Sequence, residues 1–254
     1  MRFNRVVFMV NMVGAFIISL AVYTKTIAPT VPFWDGGEFI AASYILGIPH
    51  PPGSPLYILI GRLFSVLPDL GMGIAWLVNF SSCLFSALTV TAVYLVIVKA
   101  VTLNRDRDRL PFWENIVICC SALSGALFLA FSDTFWFNAV EAEVYALAML
   151  IMMICTWLML QWIERHEQHD SERYLFLVVY LAFLGIAVHM FTMLVLPAAL
   201  LCVVFTDRNF WSNRKLLLLC PIMGLIMFSI VVSIDVFFIA VPLAIAGLIL
   251  FRGR

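Results

Sequence analysis

Seven long apolar runs, separated by short polar or basic stretches, set the pattern of this chain. They are Val6 to Tyr23, Ile74 to Val98, Asn115 to Ala130, Val144 to Ile163, Leu175 to Phe205, Leu216 to Val232 and Val236 to Phe251. A helix needs about 20 residues to cross the hydrocarbon of a bilayer, so most of these runs predict one span each. The Leu175 to Phe205 run is too long for one ordinary span and short for two, and it is divided near His189 into two tilted or thinly covered helices. The pattern therefore predicts an all-α polytopic bundle of about eight spans, with residues 1–254 forming a single transmembrane domain. The first run is longer than the apolar region of a signal peptide and lacks a small-x-small cleavage site, so it reads as an uncleaved anchor.

Residues 25–73 break the pattern. Pro29, Pro32, Pro49, Pro51, Pro52 and Pro55 make the ends of this stretch extended or turning. Between them, Glu38 to Leu46 and Leu56 to Leu67 have the length and apolar content of short helices lying at the interface, the second interrupted by Arg62. A loop of this length in a compact membrane protein is more often functional than a tether.

Composition agrees: 64% of residues are hydrophobic, 12% are charged and the mean hydropathy is +1.05, more apolar than a soluble domain can cover with polar surface. The formal net charge of zero hides an asymmetry. With the runs laid out as alternating spans, thirteen of the fifteen Lys and Arg residues fall on the N-terminal side, which the positive-inside rule makes cytoplasmic. Lys25 and Arg62 remain outside with Asp35, Glu38, Asp69, Asp133, Glu141, Glu143 and Asp235. Nothing in this balance suits nucleic acid. The six cysteines lie within or at the ends of apolar runs, with neither a disulfide framework nor metal-ligand spacing. Asn79-Phe80-Ser81 matches a glycosylation acceptor inside a span, where no transferase could reach it.

Asp35-Gly36-Gly37-Glu38 is the sharpest motif. One reading is a helix start, with Asp35 as cap and Glu38 completing a capping box. The other is a reactive turn in which two glycines let a substrate approach the backbone while two carboxylates face one pocket. There a carboxylate just above the membrane can take a proton from a hydroxyl. In the second outer loop, Asn138 and Glu141 fit a capping box, whereas Glu143 has no such structural role and is a candidate by position. The basic groups available outside are Lys25, Arg62, His50 and His189, and a phosphate leaving group would need at least one of them. The acidic pocket leaves open a divalent cation, magnesium or manganese, held by Asp35 and Glu143, as an alternative to Arg62.

The residues Phe33-Trp34-Asp35-Gly36-Gly37-Glu38-Phe39, the stretch Gly47 to Tyr57 with its His50-Pro51-Pro52-Gly53 centre, Glu141-Ala-Glu143-Val-Tyr145 and Gly185-Ile-Ala-Val-His189 carry a resemblance. The chain resembles the bacterial branch of membrane glycosyltransferases related to the vertebrate transmembrane protein O-mannosyltransferases, within the GT-C superfamily. The resemblance implies inverting transfer of mannose or a similar hexose from a polyprenyl phosphate donor to a hydroxyl acceptor, a protein Ser or Thr, on the outer face of a bacterial inner membrane. It implies Asp35 as base with Glu38 beside it, a substrate-binding motif at His50, Pro52 and Gly53, and Glu143 as the second-loop acid. Arg62, Glu141 and His189 complete the expected substrate contacts. Superfamily members commonly carry further spans or a large outer domain for the acceptor, so this chain is expected to supply the catalytic module of seven N-terminal spans. Two other classes compete: a secondary transporter, which normally places acids at mid-membrane on broken helices, and a noncatalytic scaffold or subunit of a glycosylation complex.

Overall fold

The computed structural model describes residues 5–68, 71–106 and 110–206. Nine α-helices follow one another among these residues, with no strand: α1 Arg5–Thr26, α2 Gly36–Ile45, α3 Pro55–Ser65, α4 Ile74–Val101, α5 Phe112–Ala130, α6 Asp133–Ala139, α7 Val144–Arg165, α8 Glu172–Ile186 and α9 Val195–Thr206. A 3₁₀ turn, Met190–Leu194, leads into α9. Four helices, α1, α4, α5 and α7, are long and apolar enough to cross a membrane. The long apolar run does divide near His189, but α8 has 15 residues, about 22 Å of helix against a hydrocarbon core of about 30 Å. The described residues thus hold four full-length spans, and the expected spans Leu216 to Val232 and Val236 to Phe251 lie outside them.

Helix α4 is the axle of the bundle. One of its faces packs in a cluster with α2, α3, α7, α8 and α9 through Val78, while Cys83, Val90, Tyr94 and Val98 join a second cluster with α1, α5 and α6. Its polar side chains are buried too: Asn79, Ser82, Ser86 and Thr89 recur at helical spacing and are almost completely covered. Small residues let neighbouring backbones approach closely, as is usual for helices that gain nothing from exchanging lipid for another apolar surface. Where helices turn outward the pattern reverses. Val6, Val10, Val13 and Ile17 make one exposed apolar stripe on α1, and Phe176, Tyr180 and Phe183 make another on α8. These stripes suit lipid rather than water.

The two ends of the bundle differ in charge. At one end Lys99 of α4 is buried and paired with Glu164 of α7, Arg105 pairs with Glu114, and Arg165 donates to the Tyr174 hydroxyl at 2.7 Å. The other end gathers the two loops that carry Asp35, Glu38, Glu141 and Glu143, joined backbone to backbone where Ala28 N–H donates to Val140 O at 2.9 Å. Helix α3 is fixed to the same end by Leu56 N–H, which donates to Ala187 O at 2.8 Å.

If the basic end is cytoplasmic, single cysteines at Ile48 and Glu167, both strongly exposed, in a cysteine-free background must react with an impermeant thiol reagent from opposite sides of the membrane. Reaction of both from one side would reject the orientation.

Candidate active site

Helix α2 begins without a capping box. Asp35 occupies the position before the helix but its side chain makes no cap hydrogen bond. Glu38 turns away from the helix start toward the next loop, where Oε1 accepts from the His50 backbone N–H and Oε2 meets His50 Nδ1, both at 2.7 Å. His50 is brought there by a tight turn in which Gly53 N–H donates to His50 O at 2.9 Å. Gly53 has φ +90, a left-handed conformation that costs glycine little, and Pro52 is exposed beside it at a cis peptide. Pro52 and Gly53 therefore shape the turn that positions His50.

The glycines of the motif have a different use from close substrate approach. A Cβ on Gly36 would lie 2.4 Å from Pro32 Cγ and 3.5 Å from Ala142 O, and one on Gly37 would lie 2.8 Å from Val31 Cγ1. Their missing side chains let the loop fold on itself and press against the second loop. Trp34, at φ 64, and Phe33 are left exposed, packed edge to face.

The expected capping box at Asn138 and Glu141 is also not formed. Asn138 lies within α6 and its amide donates to Thr134 O at 2.8 Å, while α7 starts only at Val144. The reason lies in α4. Asn79 Oδ1 accepts from Ala142 N–H at 2.9 Å and Ser82 Oγ accepts from Glu143 N–H at 3.2 Å, so the free donors ahead of α7 are met by a neighbouring helix. The Asn79 amide also donates to Ala28 O at 2.8 Å and Thr30 O at 3.0 Å. One side chain thus holds both outer loops.

This arrangement brings Asp35, Glu38, His50 and Glu143 into one electrostatic neighbourhood. Burial pushes the Glu143 carboxyl up to about 7, helped by the charges of Asp35 and Glu141 and opposed by a backbone hydrogen bond and His50. Burial also raises Glu141, which is almost covered. The hydrogen bonds with His50 hold Glu38 below the usual carboxylate range, and the same side-chain bond raises His50. Tyr57, fully buried, is close enough to Glu143 and to Ser81 and Ser82 of α4 for all three to act on its phenol. Burial and the Glu143 charge push that phenol up.

Two expected contacts lie elsewhere. Arg62 donates from Nη1 to Tyr44 O at 2.5 Å and sits over the Tyr44 ring, bracing α2 against α3. His189 accepts at Nδ1 from Phe191 N–H at 3.2 Å and packs against Tyr145 and Phe191, and burial lowers its proton affinity. Tyr145 and Phe191 in turn line a half-open, mostly apolar cavity of about 420 Å³ with Ser86, Asn138 and Met149. Asp35, Glu38 and His50 offer ligand atoms within 4.8 Å of one another. Within that trio Glu38 and His50 are already joined to each other through Oε2 and Nδ1.

Residues 35–212 match the family described as the Protein O-mannosyl-transferase TMEM260 N-terminal domain. The chain belongs to this family. Relatives similar to it include Protein O-mannosyl-transferase tmem260 of Dictyostelium discoideum, 25% identical over 213 residues that cover 80% of this chain and 24% of that protein. Protein O-mannosyl-transferase TMEM260 of Mus musculus is 34% identical over 87 residues, 34% of this chain and 12% of that protein. The chain thus spans a quarter or less of the length of these relatives. No solved structure matches it. The family match begins at Asp35, so it takes in the acidic motif, the rest of the first loop and the whole of the second.

Asn79, Ser82 and Tyr57 were not singled out as site residues by sequence reasoning. The signal for Asn79 and Ser82 is a row of polar residues at helical spacing inside an apolar span, Asn79, Ser82 and Ser86, which reads as ordinary helix packing until its partners are known, and Tyr57 has no such signal.

Asn79→Ala leaves three loop backbone groups without their partner, at on the order of 1–3 kcal/mol for each that stays buried and unpaired. Its melting temperature in detergent should fall well below wild type, with faster proteolysis in both outer loops. For Glu143, the folded state binds the proton more tightly than the unfolded chain, so its contribution to stability is present below the ordinary carboxyl value of 4.5 and is lost as pH rises through about 7. Glu143→Gln should therefore flatten the fall in melting temperature across that window and melt higher than wild type above it. An unchanged slope would mean that Glu143 is solvated.

Proposed function

We propose that this domain transfers a mannosyl or similar hexosyl group from a polyprenyl phosphate donor to a hydroxyl of a protein acceptor, on the membrane face that carries the two acidic loops. The observation that carries the reading is the placement of Asp35. It is exposed, free of any capping duty, set in the turn that presses on the second loop, and included in the family match. The relatives' names as protein O-mannosyl-transferases support the reaction class and the protein acceptor.

The chemistry follows from these positions. Asp35 takes the proton of the acceptor hydroxyl as its oxygen attacks the anomeric carbon. The bond from that carbon to the phosphate oxygen breaks, its electron pair leaves on the phosphate, and a single displacement inverts the anomeric centre. Glu143, which holds a proton near neutrality and lies close to buried Tyr57, serves as a hydrogen-bond partner for the sugar without adding a full charge beside Asp35. The apolar cavity beside Tyr145 has the lining suited to the first units of a prenyl chain. A transporter reading gains no support from these acids, which cluster at the helix ends and not along a mid-membrane path.

Asp35→Asn removes the proton acceptor and leaves helix α2 intact, because no cap bond is lost. Loss of a general base costs about 100-fold to 10,000-fold in rate. Sugar transfer from a polyprenyl phosphate mannose donor should drop by that factor in the purified variant, while its melting temperature stays within a few degrees of wild type. A variant that melts and transfers like wild type would remove Asp35 from the reaction.

A further inference from the structure

A lipid phosphate entering this site meets an acidic surface. Asp35 and Glu38 lie together with His50, and a phosphate that gains charge as it leaves needs a fixed donor beside these carboxyl groups. The outer cations expected from sequence do not supply one. Arg62 lies over Tyr44 with Nη1 on its carbonyl and is not among the charges that act on Glu38 or Glu143, and Lys25 borders a separate surface hollow with Ile17, Leu20 and Phe80 on the α1 side of α4. His189 is held as an acceptor at Nδ1 and kept from charging by burial. Among the described residues, His50 is the basic group whose charge acts on both Glu38 and Glu143.

His50 is also built for the task. Glu38 grips it twice, at the backbone N–H and at Nδ1. A carboxylate at Nδ1 fixes the proton there, sets the ring plane and favours the imidazolium, leaving Nε2–H as the outward donor. The Phe39 ring, centred 5.7 Å from the imidazole, limits its swing. The charged groups facing His50 are Glu38 from α2, Asp35 from the turn before it and Glu143 from the turn before α7. All are carboxyls, so each favours the charged ring.

We propose that His50, oriented by Glu38, is the cationic donor that meets the phosphate of the lipid-linked sugar, and that Glu38 is a positioning residue rather than a second base. This rests on the glycosyl-transfer reading above. In the reaction, Asp35 receives the acceptor proton while Nε2–H of the imidazolium hydrogen-bonds the phosphate oxygen on which the electron pair departs. The two carboxylates of the Asp35 and Glu38 motif thus divide the work: one faces the acceptor, the other serves the leaving group through histidine.

The test uses the full chain in detergent with dolichyl phosphate as the binding probe, measured on both sides of neutrality, alongside sugar transfer from dolichyl phosphate mannose. Wild type should bind more weakly as pH rises and the ring loses its proton. His50→Gln should weaken binding about 10-fold to 100-fold, the range for a hydrogen bond to a charged group. His50→Lys should keep part of the affinity and lose the alkaline fall, because the ammonium stays charged. Glu38→Gln still accepts from the His50 backbone but withdraws the charge that favours the imidazolium, so the fall in binding should move to lower pH. Wild-type binding that ignores pH, an unmoved profile in Glu38→Gln, or a transfer rate that rises as His50 deprotonates would overturn the proposal. If wild type transfers sugar and His50→Gln binds dolichyl phosphate as well as wild type does, the dyad fails and the glycosyl-transfer reading stands. If wild type neither binds dolichyl phosphate nor transfers sugar, that reading fails and takes the dyad with it.

Discussion

A single buried amide organises the acidic end of this protein. Asn79 offers one acceptor and a donor group, and it uses them on three backbone groups from two loops: Ala142 in the second loop, Ala28 and Thr30 in the first. Loops at a membrane surface carry many backbone donors and acceptors and little apolar mass, so they cannot be fixed by burial alone. A side chain that is already immobile within a helix costs little further entropy to engage. Because Asn79 is completely buried on α4, the loops inherit the rigidity of the bundle's central helix. The closeness of Asp35 to Glu143 follows from that one residue and from the glycine that lets the first loop press on Ala142.

The electrostatics of the site depend on this closeness. Carboxylates in separate loops would each stay charged in water. Held together, they divide into types: Glu38 keeps its charge because histidine stabilises it, whereas Glu143 retains a proton to higher pH because burial and its neighbours oppose ionisation. Environments that push similar groups apart in proton affinity are how one pocket obtains both an acid and a base from the same residue type.

Much of the architecture was legible from periodicity. The four long spans, the two short helices in the first outer loop and the break at His189 all follow from apolar run length and proline placement, which are local properties. The acidic motif was legible as a candidate for the same reason, whereas the His-Pro-Pro-Gly stretch came into view through the family resemblance. What could not be read was pairing. Glu38 and His50 are twelve residues apart, and Asn79 and Ala142 are separated by 63, so their partnerships exist only once the helices have packed. The same limit explains the two capping boxes that did not form. Spacing alone presented Asp35 with Glu38, and Asn138 with Glu141, as local pairs, but Glu38 is taken by His50 and the backbone donors of Ala142 and Glu143 are met by Asn79 and Ser82 of α4. Arg62 looked free for a phosphate because its competitor, the Tyr44 carbonyl, lies 18 residues away.

Helices α4 and α7 are pinned to each other at both ends, by Asn79 and Ser82 against the turn before α7 at one end and by the buried Lys99–Glu164 pair at the other. Two polar fixings separated by about 20 residues of α4 admit one register, since a slip of a single turn, about 5.4 Å, would unmake both at once. The pair therefore behaves as a fixed wall. The hairpin of α2 and α3 packs against that wall through buried Phe39, Tyr57 and Ile58, so the acidic motif it carries keeps a constant place relative to the start of α7.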